Sequence, residues 1–195
     1  MAAALADTYI VNTSPNNNFD GNLSFEFGTT VTSVEHALIS LDMSGVTSAI
    51  ASATLTVNVA TPGSSAVTCE AVLLSDLAIV AAQATWNRYA TGLAWTIAGG
   101  DIDDGVAPVE FTMPTGAGAL NIAVGTLLEY ARLRATSPAW LMLQIKTPTV
   151  AENRCVMGSL ENGNGPSIEI VTAAAIDASG GVQRGVMRGL MRGGA

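Results

Sequence analysis

The chain has 195 residues, of which 49% are hydrophobic and only 12% charged, about half the roughly 25% charged share of an average globular protein. That composition excludes a disordered chain, which is charge-rich and apolar-poor, and the length suits one domain with a substantial core. Eight basic residues against sixteen acidic ones leave a net charge of -8, which excludes a nucleic-acid-binding body, because phosphate contacts need clustered Lys and Arg.

Residues 1–6, Met-Ala-Ala-Ala-Leu-Ala, carry neither the basic start nor the apolar run of a secretory signal peptide and read as a short N-terminal extension. A domain is expected over 7–176. Within it, 36–42 (HALISLD) and 50–59 (IASATLTVNV) alternate apolar with Ser, Thr or Asn, the period of a strand with one dry and one wet face. Further strands are expected at 8–11, 67–74, 109–113, 119–123, 140–146, 154–157 and 168–172. Turn signals stand between them: Ser14-Pro15-Asn16, Asp20-Gly21, Pro62-Gly63, Gly99-Gly100, Asp104-Gly105 and Asn162-Gly163. Many short strands without regular helix alternation predict an antiparallel all-β sandwich or barrel.

One segment breaks the period. Between Val124 and Ala135 the apolar residues Leu127, Leu128, Ala131 and Ala135 recur three and four apart, with Glu129 and Arg132 spaced to pair, so one short helix is expected there. The last stretch, 177–195, is an extended Gly-, Arg- and Met-rich arm. Arg184, Arg188 and Arg192 recur every four residues, each followed by Gly, with Val186-Met187 and Leu190-Met191 between them. A Gly at every repeat costs a helix about 1 kcal/mol against Ala, so the arm is expected to have no structure of its own. It places three positive charges beside a body whose first 180 residues carry sixteen acids and five bases.

Sites of known chemistry are mostly missing. The single histidine, His36, has no HExxH or GxSxG motif near it and reads as a surface or strand-end residue. Asp101-Ile102-Asp103-Asp104-Gly105 resembles a calcium loop but lacks the EF-hand spacing and has Thr112 where a Glu is required, so it reads as a solvated acidic loop. Cys69 and Cys155 lie far apart with no CxxC spacing and read as two small buried thiols, their pairing left open. No catalytic residue, metal or cofactor is expected. A sugar-binding face needs exposed aromatic platforms; aromatics are only 5%, and Trp86, Trp95 and Trp140 fall in apolar settings.

Several pieces in order, Asp7-Thr8-Tyr9-Ile10, Ser14-Pro15-Asn16-Asn17-Asn18-Phe19, Ala37-Leu38-Ile39-Ser40-Leu41-Asp42-Met43-Ser44-Gly45 and the 50–57 strand, resemble the DNRLRE-type domain family. So do Ala84-Thr85-Trp86-Asn87, Gly92-Leu93-Ala94-Trp95 leading into Gly99-Gly100-Asp101, Ser159-Leu160-Glu161-Asn162 and Pro166-Ser167-Ile168-Glu169-Ile170. The resemblance implies a jelly-roll β-sandwich related to carbohydrate-binding modules, with Trp86 and Trp95 as the glycan-contacting pair. The residues themselves favour a different expectation: a non-catalytic virion surface component, such as a bacteriophage capsid decoration or appendage protein. It would form homo-oligomers and pack on other virion proteins such as the major capsid protein, without nucleic acid or membrane. Its partner contacts would come from Arg184, Val186, Met187, Arg188, Leu190, Met191 and Arg192. The alternative is a carbohydrate-binding or adhesion module at a cell surface.

Overall fold

A computed structural model describes residues 4–75, 77–148 and 151–173. The arm residues Arg184, Val186, Met187, Arg188, Leu190, Met191 and Arg192 lie outside the described residues.

Twelve strands and one helix follow in chain order: β1 (Ala4–Val11), β2 (Ser24–Thr29), β3 (Val34–Leu41), β4 (Ile50–Thr61), β5 (Thr68–Leu73), β6 (Arg88–Ala90), β7 (Leu93–Ala94), β8 (Val109–Thr112), β9 (Gly118–Ala123), α1 (Gly125–Leu133), β10 (Ala139–Ile145), β11 (Asn153–Gly158) and β12 (Ser167–Thr172). All pairings are antiparallel. Apart from the β6-β7 hairpin, ten strands form one large sheet in the order β12-β4-β11-β2-β3-β10-β5-β8, with β1 beside β3 and β9 beside β4. The sheet curls on itself into two facing layers, one of β1, β3, β10, β5 and β8 and the other of β2, β11, β4, β9 and β12. Most connections carry the chain from one layer to the other, which is jelly-roll connectivity. The all-β sandwich with one short helix agrees with the sequence reading. Residues 4–6 of the expected extension belong to β1, which begins at Ala4 and pairs there with Leu41; residues 1–3 lie outside the described residues.

The main core lies between the layers. Ala37, Ile39 and Leu41 of β3, Leu141 and Leu143 of β10 and Leu73 of β5 face Phe25 and Phe27 of β2, Leu55 and Val57 of β4 and Met157 of β11. The helix closes one end by burying Leu127, Leu128 and Ala131 of the expected stripe, and Arg132 pairs with Glu129 at 2.6 Å as expected; the helix ends at Leu133, so Ala135, the stripe's fourth member, lies beyond it and is exposed. The other face of the first layer is dry as well. Ile10, Leu38, Val72, Leu74, Trp140 and Met142 are covered by the long excursion between β5 and β8, which lays Ile79, Ala84, Trp86 and Trp95 over them.

The two layers join at Gly28, which pairs with Arg154 of β11 and with Glu35 of β3. Its φ of +138° suits only glycine, and a Cβ there would lie 2.7 Å from the Arg154 Cα and nearer still to the Asn153 carbonyl oxygen. Gly21 is also left-handed, at φ +82°, but has nothing within 4 Å of a would-be Cβ. Gly28→Ala is therefore expected to destabilise by more than about 2 kcal/mol and Gly21→Ala by about 1 kcal/mol, read as denaturant midpoints at unchanged m.

Candidate functional site

The aromatic residues are used inside. None of the ten is exposed. Trp95 is buried and its indole Nε1 donates to the Thr85 carbonyl at 2.8 Å. Trp86 is half-buried, its ring over Gly99 and 4.8 Å from the His36 ring. Tyr9 stacks on Phe19 at 4.4 Å, and Tyr89 tilts against Trp95. The pair that the resemblance would assign to a glycan packs on the second core, Trp95 buried and Trp86 partly buried against it.

The acidic loop and the histidine have structural partners. The Asp101 carboxylate accepts the N–H groups of Thr96 (2.8 Å) and Ile97 (2.7 Å), holding the loop closed. Asp103, nearly buried, takes the Gly105 N–H at 3.0 Å and the guanidinium of Arg134. His36 is within β3 rather than at the surface. Its Nδ1 lies 2.9 Å from the Gly99 carbonyl and acts as donor, and burial pushes its pKa down to about 4, so it is neutral at physiological pH. Cys69 and Cys155 are free and buried, and burial pushes both thiols up to about 12, which makes them inert packing atoms.

Two buried carboxyl sites, unseen in the sequence, form a seam on the strands: Asp7 on β1, and Glu35 of β3 beside Glu26 of β2. Asp7 is 2% exposed; one oxygen accepts the Leu160 N–H at 2.9 Å, yet burial, with Glu161 and Asp20 nearby, raises its pKa to about 7. Glu35 is 5% exposed. Its Oε1 accepts the Ser33 hydroxyl at 3.2 Å, Oε2 has no hydrogen-bond partner among the described residues, and the Glu26 carboxyl lies close by. Glu26 is itself held by Arg154 at 2.7 Å. A carboxyl–carboxyl contact is satisfied only with a shared proton, so burial and Glu26 push the Glu35 pKa well up, against the pull of Arg154. Among the described residues no nucleophile or second general base is aligned on these groups.

The surface that remains open is the outer face of β4, β9 and β12. Register places Thr54 between Ala123 and Glu169, and Thr56 between Asn121 and Ser167; Asn58 stands opposite Ala119 and Ser52 opposite Val171. The Thr56 hydroxyl donates to Asn121 Oδ1 at 2.8 Å, tying two strands on the outside. Glu169 is the one charged residue on this face. Strand β9 (GALNIA) bears no charge and, among the described residues, pairs on one side only. At the start of β4 the face opens into a groove of about 560 Å³ between Ile50–Thr54 and the helix, walled by Val106, Tyr130 and Leu133. Its one carboxylate, Glu129, is already satisfied by the Ile50 N–H at 2.9 Å and by Arg132, which hold its pKa down to about 2.

Sequence reading missed this face because it searched for chemistry-bearing residues, and the signal was an absence of charge: the wet positions of 50–59 hold only Ser, Thr and Asn besides alanine. No protein-family model matches the chain, and no curated protein is similar to it.

The carboxyl seam has a consequence for pH. Asp7 and Glu35 have native pKa values above their unfolded ones, so the folded state binds more protons, and their contribution is complete below about pH 4 and lost as pH rises through about 7. Thermal midpoints are expected to fall between pH 5 and pH 8 as these groups ionise. Asp7→Asn and Glu35→Gln should flatten that profile and raise the midpoint at pH 8 by about 2–4 °C for each kcal/mol relieved, measured by calorimetry.

Proposed function

We propose that this chain is a non-catalytic structural protein that builds a larger particle, as a virion surface component of the capsid decoration or appendage kind. In this role the β-sandwich is a rigid block, and its neighbours are further copies and other proteins of the particle, such as the major capsid protein.

The observation that carries the reading is the outer face of β4, β9 and β12: ten residues in register with one charge among them, beside the uncharged, singly paired strand β9. A solitary β protein protects such edges with lysines, prolines or bulges, whereas an edge meant to be covered needs none. Burying a surface of Ala, Thr, Asn and Ser against another chain desolvates almost no charge, which removes the largest penalty in forming an interface. Both outcomes of contact, face against face or β9 against a neighbouring strand, suit a two-fold or ring arrangement of identical copies.

The test compares charge placed on this face with charge placed elsewhere. Thr56→Arg is expected to weaken self-association or particle incorporation at least about tenfold, the equivalent of about 1.4 kcal/mol. Leu93→Arg, on the exposed β6-β7 hairpin, should leave it unchanged. Sedimentation of the purified chain and co-purification with particles read both; equal behaviour of the two variants would remove the role given to the face.

A further inference from the structure

We infer that the groove between the start of β4 and α1 is the seat of the chain's own C-terminal segment, residues 174–195. The inference goes beyond the assembly reading and stands on different observations.

The first is the character of the groove. Ile50, Val106 and Leu133 supply its apolar walls, and Leu133 is 69% exposed although it lies on a helix whose other apolar residues are buried. At about 560 Å³ the space is the size of a ligand pocket. With Glu129 already satisfied, the groove offers carbon rather than charge, so its occupant is apolar.

The second is where the chain goes. Strand β12 brings Thr172 opposite Ile50, the first residue of the groove wall, and the Ala173 N–H donates to the Ala49 carbonyl at 2.8 Å. The last described residue, Ala173, thus stands beside the groove. Ile176 follows within reach of about 10 Å, and Val186-Met187 within at most about 45 Å. The segment carries apolar side chains at Ile176, Val186, Met187, Leu190 and Met191. Methionine has the unbranched, adaptable shape that fills an irregular groove, and the interspersed glycines let the backbone follow a surface that other residues cannot.

Charge points the same way. Residues 1–173 hold fifteen acidic and five basic residues, and the segment holds three arginines and Asp177. A cationic segment is drawn onto the acidic body, and its arginine heads can stay at the groove's rim while the apolar residues enter. The sequence-level expectation put these residues on a neighbouring chain. A tether that starts at the groove gives the molecule's own segment an effective concentration in the millimolar range, which a neighbour's segment matches only in a crowded assembly.

The test uses the full chain with a reporter thiol, Leu133→Cys, since Cys69 and Cys155 are buried. Its labelling by a maleimide is compared with that in a chain also carrying serine at Ile176, Val186, Met187, Leu190 and Met191. The native segment is expected to slow labelling at least about fivefold, equally at about 1 and 100 µM protein. Thr126→Cys, also lining the groove, should behave alike, whereas Val31→Cys, exposed on the β2-β3 turn, should label at one rate in both backgrounds. Equal rates at positions 133 and 126 would overturn the proposal. So would slowing at Val31, which would mean unspecific adhesion, and so would protection that disappears on dilution, which would assign the groove to a neighbouring copy.

Discussion

The layer of β1, β3, β10 and β5 is apolar on both faces, and the rest of the molecule is arranged to keep both of them dry. In β3 the alternation Ala37, Ile39, Leu41 faces one way and Leu38 the other; in β10 Leu141 and Leu143 face one way and Trp140 and Met142 the other. A strand buried on both sides cannot sit at a surface, because each exposed Leu or Met would forfeit roughly 1.5–3 kcal/mol of burial. Two covers are needed. One is the second layer, which the chain reaches through repeated crossings. The other is the β5-β8 excursion, far longer than a strand connection requires and pinned at several points: Asn18 Nδ2 donates to the carbonyls of Ala81 and Ala84 at 2.7 Å, and His36 holds Gly99.

Roofing that face consumes the aromatic residues a binding surface would otherwise display. Trp95, Trp86 and Tyr89 pack on this face, and Gly99 leaves room for the Trp86 ring, which a Cβ there would meet at 2.9 Å; a Cβ on Gly100 would press on Met142 at 3.2 Å, and both glycines are at positive φ. The opposite layer is buried once only. Its outer face keeps small side chains with Glu169 as their one charge, and among the described residues nothing covers it; that asymmetry between a roofed face and a bare one is the physical basis for the proposed reading of the molecule as a building block.

Much of the fold was legible in the residues. The alternation of 50–59 and the three-four spacing after Val124 each correspond to one element, β4 and α1, whose wet and dry faces fall as the pattern requires. Strand β2 was not recognised, although Phe25 and Phe27 are among the largest buried side chains. Its six residues, Ser-Phe-Glu-Phe-Gly-Thr, are short, contain the glycine that turns the corner, and follow an Asn-rich loop whose turn signals dominate the window. The excursion left two readings open. Trp86 and Trp95 sit among turn residues, where local pattern cannot tell a side chain that covers a sheet from one that faces a ligand; only the apolar parity of Trp140 and Met142, thirty or more residues on, announces that a second face needs covering. The buried carboxyl groups were equally invisible, since Glu26 and Glu35 meet through the pairing of β2 with β3 and Asp7 is buried beside the distant Leu160 N–H, neither by any sequence spacing.

The scarcity of charge takes on a sharper meaning once its placement is known. Four of the five basic residues of the body are committed to acids at element ends and strand rows: Arg132 to Glu129, Arg134 to Asp103, Lys146 to Glu70 and Glu110, and Arg154 to Glu26. Pairs with a solvent-open partner, as most of these are, add little to stability, about 1 kcal/mol each, so their value is not chiefly in holding the sandwich together. They matter for where charge is absent. With the cations tied down elsewhere, a partner approaching β4, β9 and β12 meets rows of Ala, Thr, Asn and Ser and the single carboxylate of Glu169. Selection of a neighbour on such a surface cannot depend on matching many charges; it depends on the fit of small side chains in register, which a rigid sandwich dried on both sides of its central layer is built to keep in place.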